Sequence, residues 1–151
     1  MNHVVVVDPS LTISRLLLER FTDQARAFFN DNLHQRRPVF APPHLSSEVI
    51  NAIYQRLRGR RQPRYHISEA EADQALDNFL VLPIHVISPD GLYQEGYRFA
   101  KSHDTPTIYD SLYVVLAQML NAELWTADER LYNGVRSLAP WVRFVGDYPL
   151  P

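Results

Sequence analysis

An α/β fold, with a central, mainly parallel sheet of about five strands flanked by helices, follows from three features of the sequence. Short β-branched runs alternate with longer stretches of helical periodicity, which is the pattern of βαβ units. The first run, "VVVV" (Val4 to Val7), is apolar throughout, as a strand buried on both faces requires. No repeat, low-complexity tract or long linker interrupts the 151 residues, so the chain reads as one domain over 1–151. Its 46% hydrophobic content is ample for a single core.

The elements can be justified in order. Beyond "VVVV" a helical segment is predicted from Ser10, carrying Leu11, Leu17 and Leu18, and a second runs through Phe28 and Phe29. "VFAP" (Val39 to Pro42) is a short strand. Its Pro-Pro exit leads into a helix with Leu45, Val49, Ile53 and Leu57 at four-residue spacing. "GRRQP" (Gly59 to Pro63) reads as a helix–helix turn. Ser68 and Glu71 form a capping-box signature, and the helix they open turns Ala72, Ala75, Leu76 and Phe79 inward. "IHVI" (Ile84 to Ile87) is a third strand, followed by a helix near Leu92 to His103. Pro106 and Thr107 open another helix, in which Leu112, Tyr113, Leu116, Ala117 and Leu120 face a core. "AELWT" (Ala122 to Thr126) and "VRFVG" (Val142 to Gly146) supply the last two strands. Tyr109, Tyr113 and Trp125 read as core aromatics.

Bulk properties exclude more than they identify. The formal net charge is −2, which advertises neither a nucleic-acid nor a membrane partner. All basic residues but Lys101 are arginine, and five of them fall between Arg56 and Arg64. The absence of cysteine removes disulfides and thiolate metal sites and fits a reducing compartment. The N-terminus has no basic leader and too short an apolar run for a signal peptide, and no stretch reaches the roughly 18 apolar residues of a membrane span. A cytoplasmic protein is expected.

The acids carry the chemistry. In a parallel α/β sheet the ligand-bearing edge lies at the carboxyl ends of the strands. Asp8 directly follows "VVVV" and Asp128 follows "AELWT" by two residues, so both emerge there. Glu48 and Asp110 lie in early turns of helices that begin at the same edge. Singly, each has an ordinary use: an acid in a first helical turn complements the macrodipole, worth about 0.3–1 kcal/mol, and Asp after a strand often begins a turn. Jointly they are costly, since two carboxylates about 4 Å apart repel by roughly 4 kcal/mol at an effective dielectric near 20. Such a cluster needs cations or protons to persist, and an all-oxygen donor set suits a hard divalent ion, Mg²⁺ or Mn²⁺.

Four blocks, "VVVVDPS", "APPHLSSEVINAI", "TIYDSLYVVLAQ" and "LWTADERLY", together resemble the motifs of the PIN domain, a metal-dependent nuclease fold. The likeness is strongest to its toxin-type, VapC-like members, and it spans nearly the whole chain. It implies strand order 3-2-1-4-5. It also implies an Mg²⁺- or Mn²⁺-dependent ribonuclease in which Asp8, Glu48, Asp110 and Asp128 are catalytic and ligate one or two ions, Asp8 and Asp110 foremost. Ser10 and Thr126 would support the cluster through their hydroxyls. An RNA substrate, a cognate antitoxin and a homodimer come with the toxin type. An RNA-processing nuclease without an antitoxin, or an idle binding module, are the alternatives.

Phosphate contacts are expected from the "RLRGRRQPR" stretch (Arg58, Arg60, Arg61), with Arg15 and Arg130 as further candidates beside the acid-bearing segments. The six histidines are scattered without metal-ligand spacing and read as surface or packing residues, His44 being the one near an acid. Two rival phosphate-handling classes fail. A dehalogenase-type phosphatase wants a second aspartate where this chain has Ser10, and a signalling receiver wants a lysine after a late strand, whereas the sole lysine is Lys101.

Overall fold

The computed structural model describes residues 4–59 and 65–151. Five parallel strands form its sheet: β1 (Val5–Val7), β2 (Val39–Ala41), β3 (Ile84–Val86), β4 (Glu123–Thr126) and β5 (Val142–Phe144), in the order β3-β2-β1-β4-β5. The register pairs Val5 with Val39 on one side of β1 and with Glu123 on the other. The order reverses at β1, so the crevice between the carboxyl ends of β1 and β4 is the natural ligand position of such a sheet.

Among the described residues seven helices connect and cover the strands: α1 (Pro9–Leu16), α2 (Thr22–His34), α3 (Leu45–Arg58), α4 (Glu69–Leu80), α5 (Leu92–His103), α6 (Ile108–Met119) and α7 (Glu129–Val135). The period-2 alternation of β1 divides the core. Val6 packs with Leu45, Val49, Leu112 and Leu116 on one face, and Val5 and Val7 pack with Leu11, Phe28 and Phe29 on the other. That two-sided burial is why the opening run contains no polar residue.

Local signals fix the boundaries. Asp8 caps α1 with Pro9 at its first position, Ser68 and Glu71 make the reciprocal capping box of α4, and Gly59 closes α3 at φ 65°. The remainder of the "GRRQP" turn, with Arg60 and Arg61, lies outside the described residues.

Several expectations are corrected. The first helix ends at Leu16, so Leu17 and Leu18, expected on it, lie beyond it, Leu18 80% exposed. β5 stops at Phe144 and a 3₁₀ turn over Val145–Asp147 follows, so Gly146 is not in a strand. Tyr113 is fully buried, but Tyr109 is 54% exposed, because it lies on the outer side of the first turn of α6. Trp125 is half-buried at the edge of an aromatic cluster with Phe28 and Tyr148. α7 was not anticipated.

Candidate active site

Asp8 is the most enclosed of the acids, at 3% exposure. Its carboxylate accepts hydrogen bonds from the Leu11 amide (3.0 Å), the Ser10 hydroxyl (2.7 Å to Oδ1) and the Thr126 hydroxyl (2.6 Å to Oδ2). Two backbone amides of the neighbouring crossing orient those hydroxyls. The Ala127 N–H donates to Ser10 Oγ at 2.9 Å and the Asp128 N–H to Thr126 Oγ1 at 3.0 Å. A hydroxyl that already accepts an amide proton turns its own proton elsewhere, here onto Asp8. Ser10 and Thr126 therefore lock the carboxylate between β1 and β4. Burial, opposed by these hydrogen bonds and reinforced by the charge of Asp128, pushes the Asp8 carboxyl up to about 7.

The other acids arrive from three further elements. Glu48, in the first turn of α3, receives the Tyr113 hydroxyl on Oε1 at 2.9 Å, and the His44 ring Nε2 lies 3.2 Å from the same oxygen. Burial raises its pKa; the Tyr113 hydroxyl lowers it and the charge of Asp110 raises it further. Asp110, in the first turn of α6, makes no hydrogen bond among the described residues. Burial raises its pKa, as does Asp128, and Arg130 pulls it down. Asp128 caps α7, its Oδ1 accepting the amides of Arg130 (2.9 Å) and Leu131 (3.1 Å). Asp110, Asp128 and Arg130 line one cavity of about 520 Å³.

Thus Asp8, Glu48 and Asp110 each feel another acid of the set, and the Tyr113 hydroxyl feels Glu48, Asp8 and Asp110 together. Among the described residues, however, no three His, Asp or Glu side chains are drawn into a ready coordination cage. They share a rim without closing on a point, as mutually repelling carboxylates do. The donor set, oxygen throughout, with Asp8, Glu48 and Asp110 raised toward protonation by burial and like charge, fits a hard divalent cation.

Comparison with known proteins bears on what this rim is. A scan against family models found no match. Two curated relatives from Mycobacterium tuberculosis do match. Ribonuclease VapC12 is 33% identical over 128 residues, covering 85% of this chain and 89% of the relative. Ribonuclease VapC3 is 32% identical over 127 residues, covering 84% of each. The chain belongs to the VapC ribonuclease family. Solved structures agree on the fold. PAE2754 from Pyrobaculum aerophilum superposes with a TM-score of 0.66 at 19% identity, covering 95% of this chain and 84% of that one. Mycobacterium tuberculosis VapC20, described as a sarcin-ricin loop cleaving toxin, gives 0.58 at 12% identity, with coverages of 82% and 87%. The sheet is the one expected of a PIN domain, in strand order as well as in class.

In this VapC chain the arginines divide. Arg130 stands at the acids. Arg15 does not: it lies beside Arg26 of α2, with its Nε buried and without a partner, and burial followed by that like charge lowers its pKa. Arg58 is exposed and folds back over Tyr54, donating to its hydroxyl at 2.9 Å. Among the histidines His44 is the exception to a packing role. Its ring sits 4.7 Å from that of Tyr113 and contacts Glu48 and the Tyr109 carbonyl. The sequence signal for it was the i, i+4 spacing from His44 to Glu48. The part played by Tyr113 was hidden, because a buried tyrosine at helical spacing looks like any core aromatic. No described helix is long and apolar enough to cross a membrane.

Proposed function

We propose that the chain is a Mg²⁺- or Mn²⁺-dependent endoribonuclease, the toxin of a toxin–antitoxin pair, that hydrolyses RNA phosphodiester bonds at the rim of Asp8, Glu48, Asp110 and Asp128. One observation carries the reading. Three carboxyl groups from separate elements are each raised by burial and by the charge of a neighbouring acid, Asp128 for Asp8 and Asp110, and Asp110 for Glu48, on the carboxyl edge of a VapC fold. Perturbed acids gathered in a cleft mark chemistry more than packing.

Asp8, Glu48, Asp110 and Asp128 would hold the cation, which supplies Lewis acidity toward water and the phosphoryl oxygens when bound. The chain's own groups prepare for it. Ser10 and Thr126 fix Asp8. Tyr113 and His44 both engage Glu48 Oε1, which leaves Oε2 available to a cation. The α7 cap engages only one oxygen of Asp128. Arg130, close enough to lower the Asp110 pKa, would receive a phosphate beside the acids. A cognate antitoxin and a homodimer belong to the same reading, the antitoxin supported by the likeness to VapC ribonucleases.

Cleavage of an RNA panel with Mg²⁺, run against Asp8→Asn, tests the reading. Wild type is expected to cut and the variant to lose at least about 100-fold in rate, as loss of a metal ligand or its support does. Equal cleavage by both proteins would remove Asp8 from the chemistry.

A further inference from the structure

A second cavity, of about 350 Å³, adjoins the rim. Ser10 and Asp128 line it together with Glu19, Arg20, Arg56 and Tyr65. Arg56, in the last turn of α3, is only 8% exposed. Its Nη2 pairs with Glu19 Oε2, and its guanidinium carbon lies 5.1 Å from the Tyr65 ring centroid. Nη1 is buried and has no hydrogen-bond partner. The reason is local. Glu19 Oε1 accepts the Ser14 hydroxyl at 2.7 Å, so the carboxylate engages one arm of the fork and leaves the other unanswered. A buried N–H without an acceptor costs its full desolvation, and a charged one more than a neutral one. Arg56, with one arm of its guanidinium unanswered, lines a cavity that shares Ser10 and Asp128 with the acid rim, and an anion there would answer it.

We propose that this cavity is a phosphate subsite for the RNA strand flanking the scissile bond, with Arg56 Nη1 donating to a phosphate oxygen. The proposal rests on the ribonuclease reading above. RNA is favoured over an acidic peptide because the cavity shares Ser10 and Asp128 with the rim, where a strand being cut must pass. Arg20, already ion-paired at 3.8 Å with Glu129 beside Asp128, adds a second positive group on the same path. The planar guanidinium is the required feature: it can hold Glu19 with one nitrogen and a phosphate with the other, which an ammonium cannot do.

The test measures binding of a short single-stranded RNA to the cleavage-deficient Asp8→Asn protein across a salt series. Two further changes are made in that background. Arg56→Lys keeps the charge beside Glu19 but cannot fork, and Glu19→Gln with Arg56→Gln neutralises both partners so that no buried charge is left alone. Melting curves report whether each variant is folded. The expected result is a loss of about tenfold in affinity for both variants. The salt slope should fall by about 0.7 for the paired substitution. Unchanged affinity and slope in the folded variants would make Arg56 a structural ion-pair partner only and overturn the subsite while leaving cleavage by wild type intact. A loss of binding to a short poly-glutamate peptide with RNA affinity preserved would assign the cavity to a protein partner, and likewise overturn it. Failure of wild type to cleave or bind any RNA would remove the ribonuclease reading and the subsite together.

Discussion

Asp8 shows at the scale of one residue how the site is built and what it costs. Its carboxyl is raised from 3.8 to about 7, so the folded state holds a proton that the unfolded chain releases. The stabilisation from that proton is fully present below the unfolded pKa and is lost as pH rises through about 7. Glu48 and Asp110 are shifted in the same direction. In chelator, therefore, the melting temperature of wild type should fall between about pH 4 and pH 8, by an amount corresponding to a few kcal/mol. Asp8→Asn should flatten that fall and melt higher than wild type at pH 8, since it removes a buried charge while keeping the α1 cap. A lower melting temperature for the variant in EDTA at pH 8 is the opposite of what the cluster requires. Tyr113 gives a second test. Among the described residues its hydroxyl is the only donor to the Glu48 carboxylate besides the His44 ring. Tyr113→Phe should weaken Mn²⁺ binding about tenfold, the usual loss when a ligand's supporting hydrogen bond goes. Calorimetric titration giving a wild-type affinity would leave the hydroxyl a bystander.

Elements rather than residues decide how the acids reach one rim. Asp110 is delivered by α6, which lies against α5 so closely that a methyl group on Gly96 would sit 2.5 Å from Leu112 Cδ2. Gly96→Ala should cost about 1–3 kcal/mol by overpacking. It should also weaken Mn²⁺ binding, because relief of the clash moves the helix that bears Asp110. A melting temperature within a degree of wild type would show that the helix pair has room. The same scale explains what could be read from the sequence. Strands and acids were legible because a doubly buried strand must be apolar and an acid at its end must fall on the ligand edge. Asp128 was read as a site acid, and its second use as the cap of α7 was missed, since a seven-residue helix containing Gly134 has too little periodicity to register. The extension of the first helix to Leu18 failed because Leu17 already has extended backbone, a change that tertiary contacts impose and local sequence does not reveal. Arg15 was misplaced for a related reason. Sequence proximity to Asp8 does not fix which side of α1 a residue occupies, and here α2 claims it.

Across the whole molecule the sheet order is what makes the site possible. β1 lies between β2 and β4, so residues 10 and 126 become hydrogen-bonding neighbours although the chain separates them by 116 positions. The Ser10–Thr126–Asp8 lock is a product of that adjacency, and its signal in the sequence was the resemblance of the "VVVVDPS" and "LWTADERLY" blocks, which implied the two hydroxyls without their geometry. Four acids on one edge give a fold that is stabilised less than it would be with neutral residues there, and under the proposed function a bound cation returns that free energy. The most direct measurement is the melting temperature of wild type and Asp8→Asn at neutral pH, in EDTA and in increasing Mn²⁺. Wild type should gain stability in a saturable way, about 2.7 kcal/mol at a hundredfold excess over the dissociation constant, and Asp8→Asn should gain far less. Identical curves for wild type with and without millimolar Mn²⁺ would contradict the account, because any ion that binds only the native state must stabilise it.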